Sequence, residues 1–105
     1  MFNYRDEISL KNLMPASKDV KSMSSFFYAF SDDTRLRIII LLTLKPLCVT
    51  EISNVLGVNQ TTISHQLKIL KSLNIVEFDR NGKSIIYYIK NNEIQEVLNA
   101  GVDCI

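Results

Sequence analysis

The stretch Leu56-Gly57-Val58-Asn59-Gln60-Thr61-Thr62-Ile63-Ser64-His65-Gln66-Leu67-Lys68 decides how this chain folds. Gly57 suits a left-handed helix C-cap, and Asn59 suits the N-cap of the next helix. A short helix, Thr50 to Leu56 with Ile52, Val55 and Leu56 inward, therefore precedes the bend, and a longer one, Gln60 to Leu73, follows it. Two helices joined by Gly57-Val58-Asn59 have helix-turn-helix spacing. At 100° per residue, setting Ile63, Leu67 and Leu70 inward turns Thr61, Ser64, His65, Lys68 and Ser72 outward, with Thr62 at the flank. That outer face is polar and short-chained in its first half. Hydroxyl, amide and imidazole groups of this kind can pair with base edges in a major groove, with Lys68 and Lys71 where phosphates would pass. Any solvated helix carries similar residues, so the neighbouring elements must decide.

Downstream, Val76 and Phe78, then Ile85, Tyr87 and Ile89, alternate on either side of Asn81-Gly82, which signals a β-hairpin. A two-residue loop at Asn81-Gly82 would set Arg80 directly opposite Lys83. Like charges so placed destabilise an isolated hairpin and ask for an anion, such as a DNA phosphate or the minor groove. Upstream, Val20, Met23, Phe27 and Phe30 recur at helical spacing from Ser17 to about Phe30. Ser31 then offers an N-cap and Asp32-Asp33 a carboxylate-rich first turn for a second helix. Its run Leu36, Ile38, Ile39, Ile40, Leu41, Leu42 and Leu44 is apolar nearly all round and predicts a central position until Pro46. A last helix, about Asn92 to Val102, sets Ile94, Val97, Leu98 and Val102 on one face. The fold class is mainly α with a β-hairpin wing, in the order α-α-α-α-β-β-α. Residues 1–16, ending near Pro15, read as an arm with at most a turn of helix around Ile8 to Leu13, and residues 17–105 as one domain.

The 105 residues suffice for a single core, and 47% apolar with 22% charged is a globular composition. No apolar run is longer than Ile38 to Leu42, which is far short of the roughly eighteen residues of a membrane span, and Met1 to Glu7 lacks a signal peptide's layout. A cytoplasmic protein without a membrane partner is the expectation. The net charge of +1 hides an asymmetry: Asn59 to Lys90 holds five Lys/Arg against two Asp/Glu, while the residues after Lys90 hold none against three. One histidine, no glycine-rich phosphate loop and no recoverable nucleophile–base arrangement argue against an enzyme, and no cofactor is expected.

The segments Asp33-Thr34-Arg35-Leu36-Arg37-Ile38, Leu47-Cys48-Val49-Thr50-Glu51-Ile52, Leu56 to Lys68 and Arg80-Asn81-Gly82-Lys83 resemble the ArsR/SmtB family of winged-helix repressors. The similarity runs from about Phe26 to Ile89. It implies a dimer built by the family's first and last helices around two winged helix-turn-helix units. It also implies a recognition helix carrying Gln60, Thr61, Thr62, Ser64, His65 and Lys68, and a wing carrying Arg80 and Lys83. The partner would be double-stranded DNA with an inverted-repeat operator, and repression would be relieved by an inducer that the sequence does not identify. Many relatives bind metal through a Cys-x-Cys motif at the start of the first helix of the helix-turn-helix. Here Cys48 holds the first position but Thr50 replaces the second cysteine. The alternative site on the last helix needs His, and the only histidine is His65. No metal site is expected, and Cys48 is the one candidate anchor. Two other readings stay open: a thiol-based redox or sulfur-responsive repressor using Cys48 and Cys104, and a winged-helix protein-interaction module without DNA binding. Steep salt dependence would separate DNA binding from the last of these.

Overall fold

In the computed structural model, residues 3–105 are described. In chain order they form α1 (Tyr4–Leu13), α2 (Ser17–Tyr28), α3 (Asp33–Leu44), α4 (Val49–Leu56), α5 (Gln60–Ser72), β1 (Val76–Asn81), β2 (Ser84–Ile89) and α6 (Ile94–Asp103). The expected class holds, and the expected order α-α-α-α-β-β-α runs from α2 to α6, with one further helix, α1, before it. The arm is more ordered than its sequence suggests. Asn3 caps α1 by accepting from the Asp6 N–H at 3.0 Å, the Asp6 carboxylate accepts from the Asn3 N–H at 3.2 Å, and Lys11 pairs with Glu7 at 3.2 Å. This Asn/Asp box replaces the more familiar Ser/Thr with Glu. Met1 and Phe2 of the expected arm lie outside the described residues.

The core consists of Ala29, Ile38, Ile39, Leu42, Leu47, Ile52, Ile63, Leu67, Leu70, Ile75, Val76 and Ile94, nearly all of it supplied between Ile38 and Val76. Helix α3 begins one residue later than expected. Asp32, not Ser31, is its N-cap, accepting from the Arg35 N–H at 3.0 Å. Its apolar run is not central all round: Ile38, Ile39 and Leu42 are buried, whereas Ile40 and Leu44 open to the outside of the single chain at 45% and 77% exposure. In α4, Val55 is exposed rather than inward. Ile52, Leu56 and Val49 fall within one arc of that short helix, and Val55 lies off its edge.

The wing is a two-stranded antiparallel sheet, and its register corrects the expected one. Asn81 pairs with Ser84 and Arg80 with Ile85, so Gly82-Lys83 form the turn. Gly82 alone takes positive φ there, at +64°, the Gly-first pattern of a II′-type turn. Moving the turn by one residue keeps the apolar residues on one face but re-pairs them: Val76 meets Ile89 instead of Tyr87, and Phe78 meets Tyr87 instead of Ile85. The Phe78 and Tyr87 rings pack at 5.6 Å. Arg80 and Lys83 therefore do not oppose each other, and the like-charge argument for an anion at the tip falls away. Leu47 adds a short third edge, exchanging backbone hydrogen bonds with Tyr87 at 3.1 and 2.8 Å. That bridge fastens the wing to the start of α4.

Candidate nucleic-acid interface

Local sequence builds the helix-turn-helix. Gly57 takes φ +67°, and the N–H groups of Gly57 and Val58 return to the Ser53 carbonyl at 2.9 and 3.3 Å. The Ser53 hydroxyl donates to the Val58 carbonyl, closing the bend from the other side. Asn59 Oδ1 then accepts from the Thr62 N–H at 2.8 Å and starts α5. Ile63, Leu67 and Leu70 are fully buried, which fixes the rotation of α5 about its axis.

With that rotation fixed, Gln60, Thr61, Ser64, His65 and Lys68 line a shallow concavity of about 480 Å³ on the outer side of the helix. Gln60, Thr61, His65 and Lys68 are exposed; Thr62 and Ser64 are half-buried. Arg80 and Lys83 are exposed in the wing. All these expected residues lie on surfaces open to a partner. Lys71 differs: it pairs with Glu77 of β1 at 3.4 Å and lies 5.4 Å from the Phe78 ring centre, so it ties α5 to the wing base. The Phe78 N–H, then Lys71 and Lys90, hold the Glu77 carboxyl below its ordinary range.

The donor set around Cys48 does not fit a soft metal. Cys48 is the half-buried N-cap of α4, and its N–H donates to Glu51 Oε1 at 3.1 Å. That hydrogen bond is the largest reason the Glu51 carboxyl is lowered, with the Cys48 thiol and Lys45 adding to it. One thiol beside a carboxylate already engaged in capping offers too few thiolates. Among the described residues no group of three His, Cys, Asp or Glu stands together. Cys104 is exposed at the end of α6, and both cysteines are free.

Two residues central to the site were not singled out from sequence. Arg35 is buried at 5% exposure, and its Nη1 donates to Gln66 Oε1 of α5 at 3.2 Å. Arg35 stands in the charged first turn of α3 beside Asp33 and Arg37, so nothing in the sequence there sets it apart as the buried one.

A model of the arsR family of bacterial regulatory proteins matches residues 32–77. The cadmium resistance transcriptional regulatory protein CadC of Listeria innocua is 35% identical over 101 residues, covering 95% of this chain and 85% of that protein. The chain belongs to the ArsR family. A transcriptional repressor SmtB homolog of Synechocystis is 31% identical, covering 79% of this chain and 63% of that protein. Among solved structures, a homodimeric winged helix-turn-helix DNA-binding domain from Mycobacterium bovis has TM-score 0.75 and 25% identity, covering 87% of this chain and 90% of that one. The transcriptional repressor BigR from Xylella fastidiosa has TM-score 0.72 and 29% identity, covering 79% and 85%. This ArsR-family chain is a DNA-binding transcriptional repressor and not an enzyme. None of its helices, among the described residues, is long and apolar enough to cross a membrane.

Proposed function

We propose that Gln60, Thr61, Thr62, Ser64, His65 and Lys68 read base edges in the major groove, while Arg80 and Lys83 approach phosphates or the minor groove beside it. The observation that carries this reading is the rotation of α5. Burial of Ile63, Leu67 and Leu70 turns an exposed polar shelf, free of large apolar side chains, away from the core. Two such shelves related by a two-fold axis would meet inverted half-sites on one face of a duplex. The dimer would form through α2 and α6. Val20, Met23 and Phe27 make an exposed stripe along α2 that a single chain leaves uncovered. The protein acts in the cytoplasm, repressing a promoter near its operator until an inducer loosens it.

Selection of bound duplexes from random DNA tests this reading. Repeating it with Zn(II), Cd(II), As(III) and a thiol oxidant, each with and without Cys48→Ser, identifies the inducer class. An inverted repeat is the expected product. A response to oxidant that Cys48→Ser abolishes would favour the thiol-based reading with Cys48 and Cys104.

A further inference from the structure

Arg35 makes a bridge that neither helix packing nor DNA contact requires. Its Nη2 donates to the Tyr28 carbonyl at 3.0 Å and reaches Ser31 Oγ at 3.5 Å, while the guanidinium carbon lies 4.4 Å from the centre of the Tyr28 ring. Its Nη1 holds Gln66 on α5. One side chain of α3 therefore grips the last carbonyl of α2 with one prong and the middle of the recognition helix with the other. The grip is electrostatically unusual. Among the described residues no carboxylate lies within ion-pair distance of this guanidinium, and its buried Nε has no hydrogen-bond partner. Among the described residues the charge is met by a helix C-terminus, the Ser31 hydroxyl, an amide oxygen and a ring face, none of them ionised. A buried cation compensated in this way contributes little to stability compared with an apolar side chain of the same volume. What the planar fork adds is geometry, because two prongs held at a fixed angle relate two helices.

We propose that Arg35 is a positioning residue through which α2 sets the orientation of α5, so that the Arg35–Gln66 hydrogen bond determines which half-site spacing the dimer accepts. This rests on the reading of α2 as a dimer helix and α5 as the recognition helix. If each α5 is tied to its own α2, the two recognition helices keep a fixed separation and phase. With Gln66 released, each α5 turns on its apolar stripe alone and tolerates a displaced half-site.

The test uses the full-length protein and the duplex recovered by the wild type from a random pool, with its spacer kept, lengthened or shortened by one base pair. One base pair moves a half-site by roughly 3.4 Å and about a tenth of a turn. The wild type is expected to lose about tenfold in affinity on either altered spacer, within the usual range of coupling between sites. Gln66→Leu should flatten that ratio to about threefold or less, and Arg35→Lys, which keeps the charge but not the fork, should do the same. Gln66→Glu keeps an acceptor for Nη1 and should restore the ratio, even if its negative charge weakens binding on every spacer alike. Thermal unfolding of each variant separates loss of fold from loss of positioning. Gln66→Leu or Arg35→Lys that folds yet keeps the wild-type ratio overturns the proposal, as does an equal loss on all three spacers. A wild type that binds no duplex overturns instead the reading on which the proposal rests.

Discussion

Between Asp33 and Ile89 the chain buries most of its apolar residues, Ile40, Leu44 and Val55 excepted, while the helices outside that span leave most of theirs open. Helices α1 and α2 contain no buried residue, and α6 contains only Ile94. The consequence is visible in the dimensions. The radius of gyration is 18.0 Å and the long axis 62 Å, against a radius of about 13 Å for a compact chain of a hundred residues. The centre is a finished winged helix-turn-helix, and the flanks are amphipathic helices awaiting a second chain. Stability of the centre should thus be a property of one protomer, and integrity of the flanks a property of the dimer.

Substitutions can break that division, and the largest effect belongs to the centre. Leu67→Ala removes a fully buried side chain and should cost about 2 to 5 kcal/mol in denaturant unfolding. Phe27→Ala, at an exposed position of α2, should leave unfolding of the centre unchanged but weaken the dimer in sedimentation. A loss of protomer stability as large as that of Leu67→Ala would erase the distinction. Smaller effects sharpen the role of the α5 face. Ser64→Ala and His65→Ala should each change which bases are preferred, at about 1 to 3 kcal/mol, whereas Lys83→Ala should weaken binding to all sequences and lower the salt slope by about one unit per protomer. Equal, sequence-blind losses from all three would contradict the separation of reading from positioning groups. Asn59→Ala deletes the cap of α5 and should cost about 1 kcal/mol in thermal or denaturant unfolding.

The smallest expected effect concerns acid. Glu51 and Glu77 are both held below their ordinary range by backbone N–H donors, those of Cys48 and Phe78. A carboxylate lowered in the folded state contributes stability that is present above its unfolded value and lost as pH falls through the lowered one. Stability should therefore decline slightly on the acid side of the carboxylate range. Glu51→Gln should reduce that decline, and an unchanged acid profile would remove the capping hydrogen bond as its cause.

The parts of the molecule legible in sequence are those governed by local chemistry. Gly57 and Asn59 have one plausible use each, and the spacing of Ile63, Leu67 and Leu70 sets which face of α5 looks outward. The wing was less legible. Asn-Gly favours a turn at Asn81-Gly82, and either register keeps Val76 and Phe78 on the face of Ile85, Tyr87 and Ile89, so alternation does not choose between them; the turn at Gly82-Lys83 is the one that brings the Phe78 ring onto Tyr87. Exposure of Ile40, Leu44 and Val55 was not legible either, because an apolar residue says that burial is favourable without saying whether its own chain supplies the cover. Arg35 lay hidden for a related reason: its partners, Tyr28 and Gln66, come together only in three dimensions.

The most direct test of the account is a titration of the purified protein into duplexes drawn from a random pool, at low and then at rising salt. Saturable binding to duplexes sharing an inverted repeat, with affinity falling steeply as salt rises, is the predicted result. Failure to bind any duplex at low ionic strength, with and without metal ions or oxidant, would contradict the assignment of the α5 face and the wing to DNA.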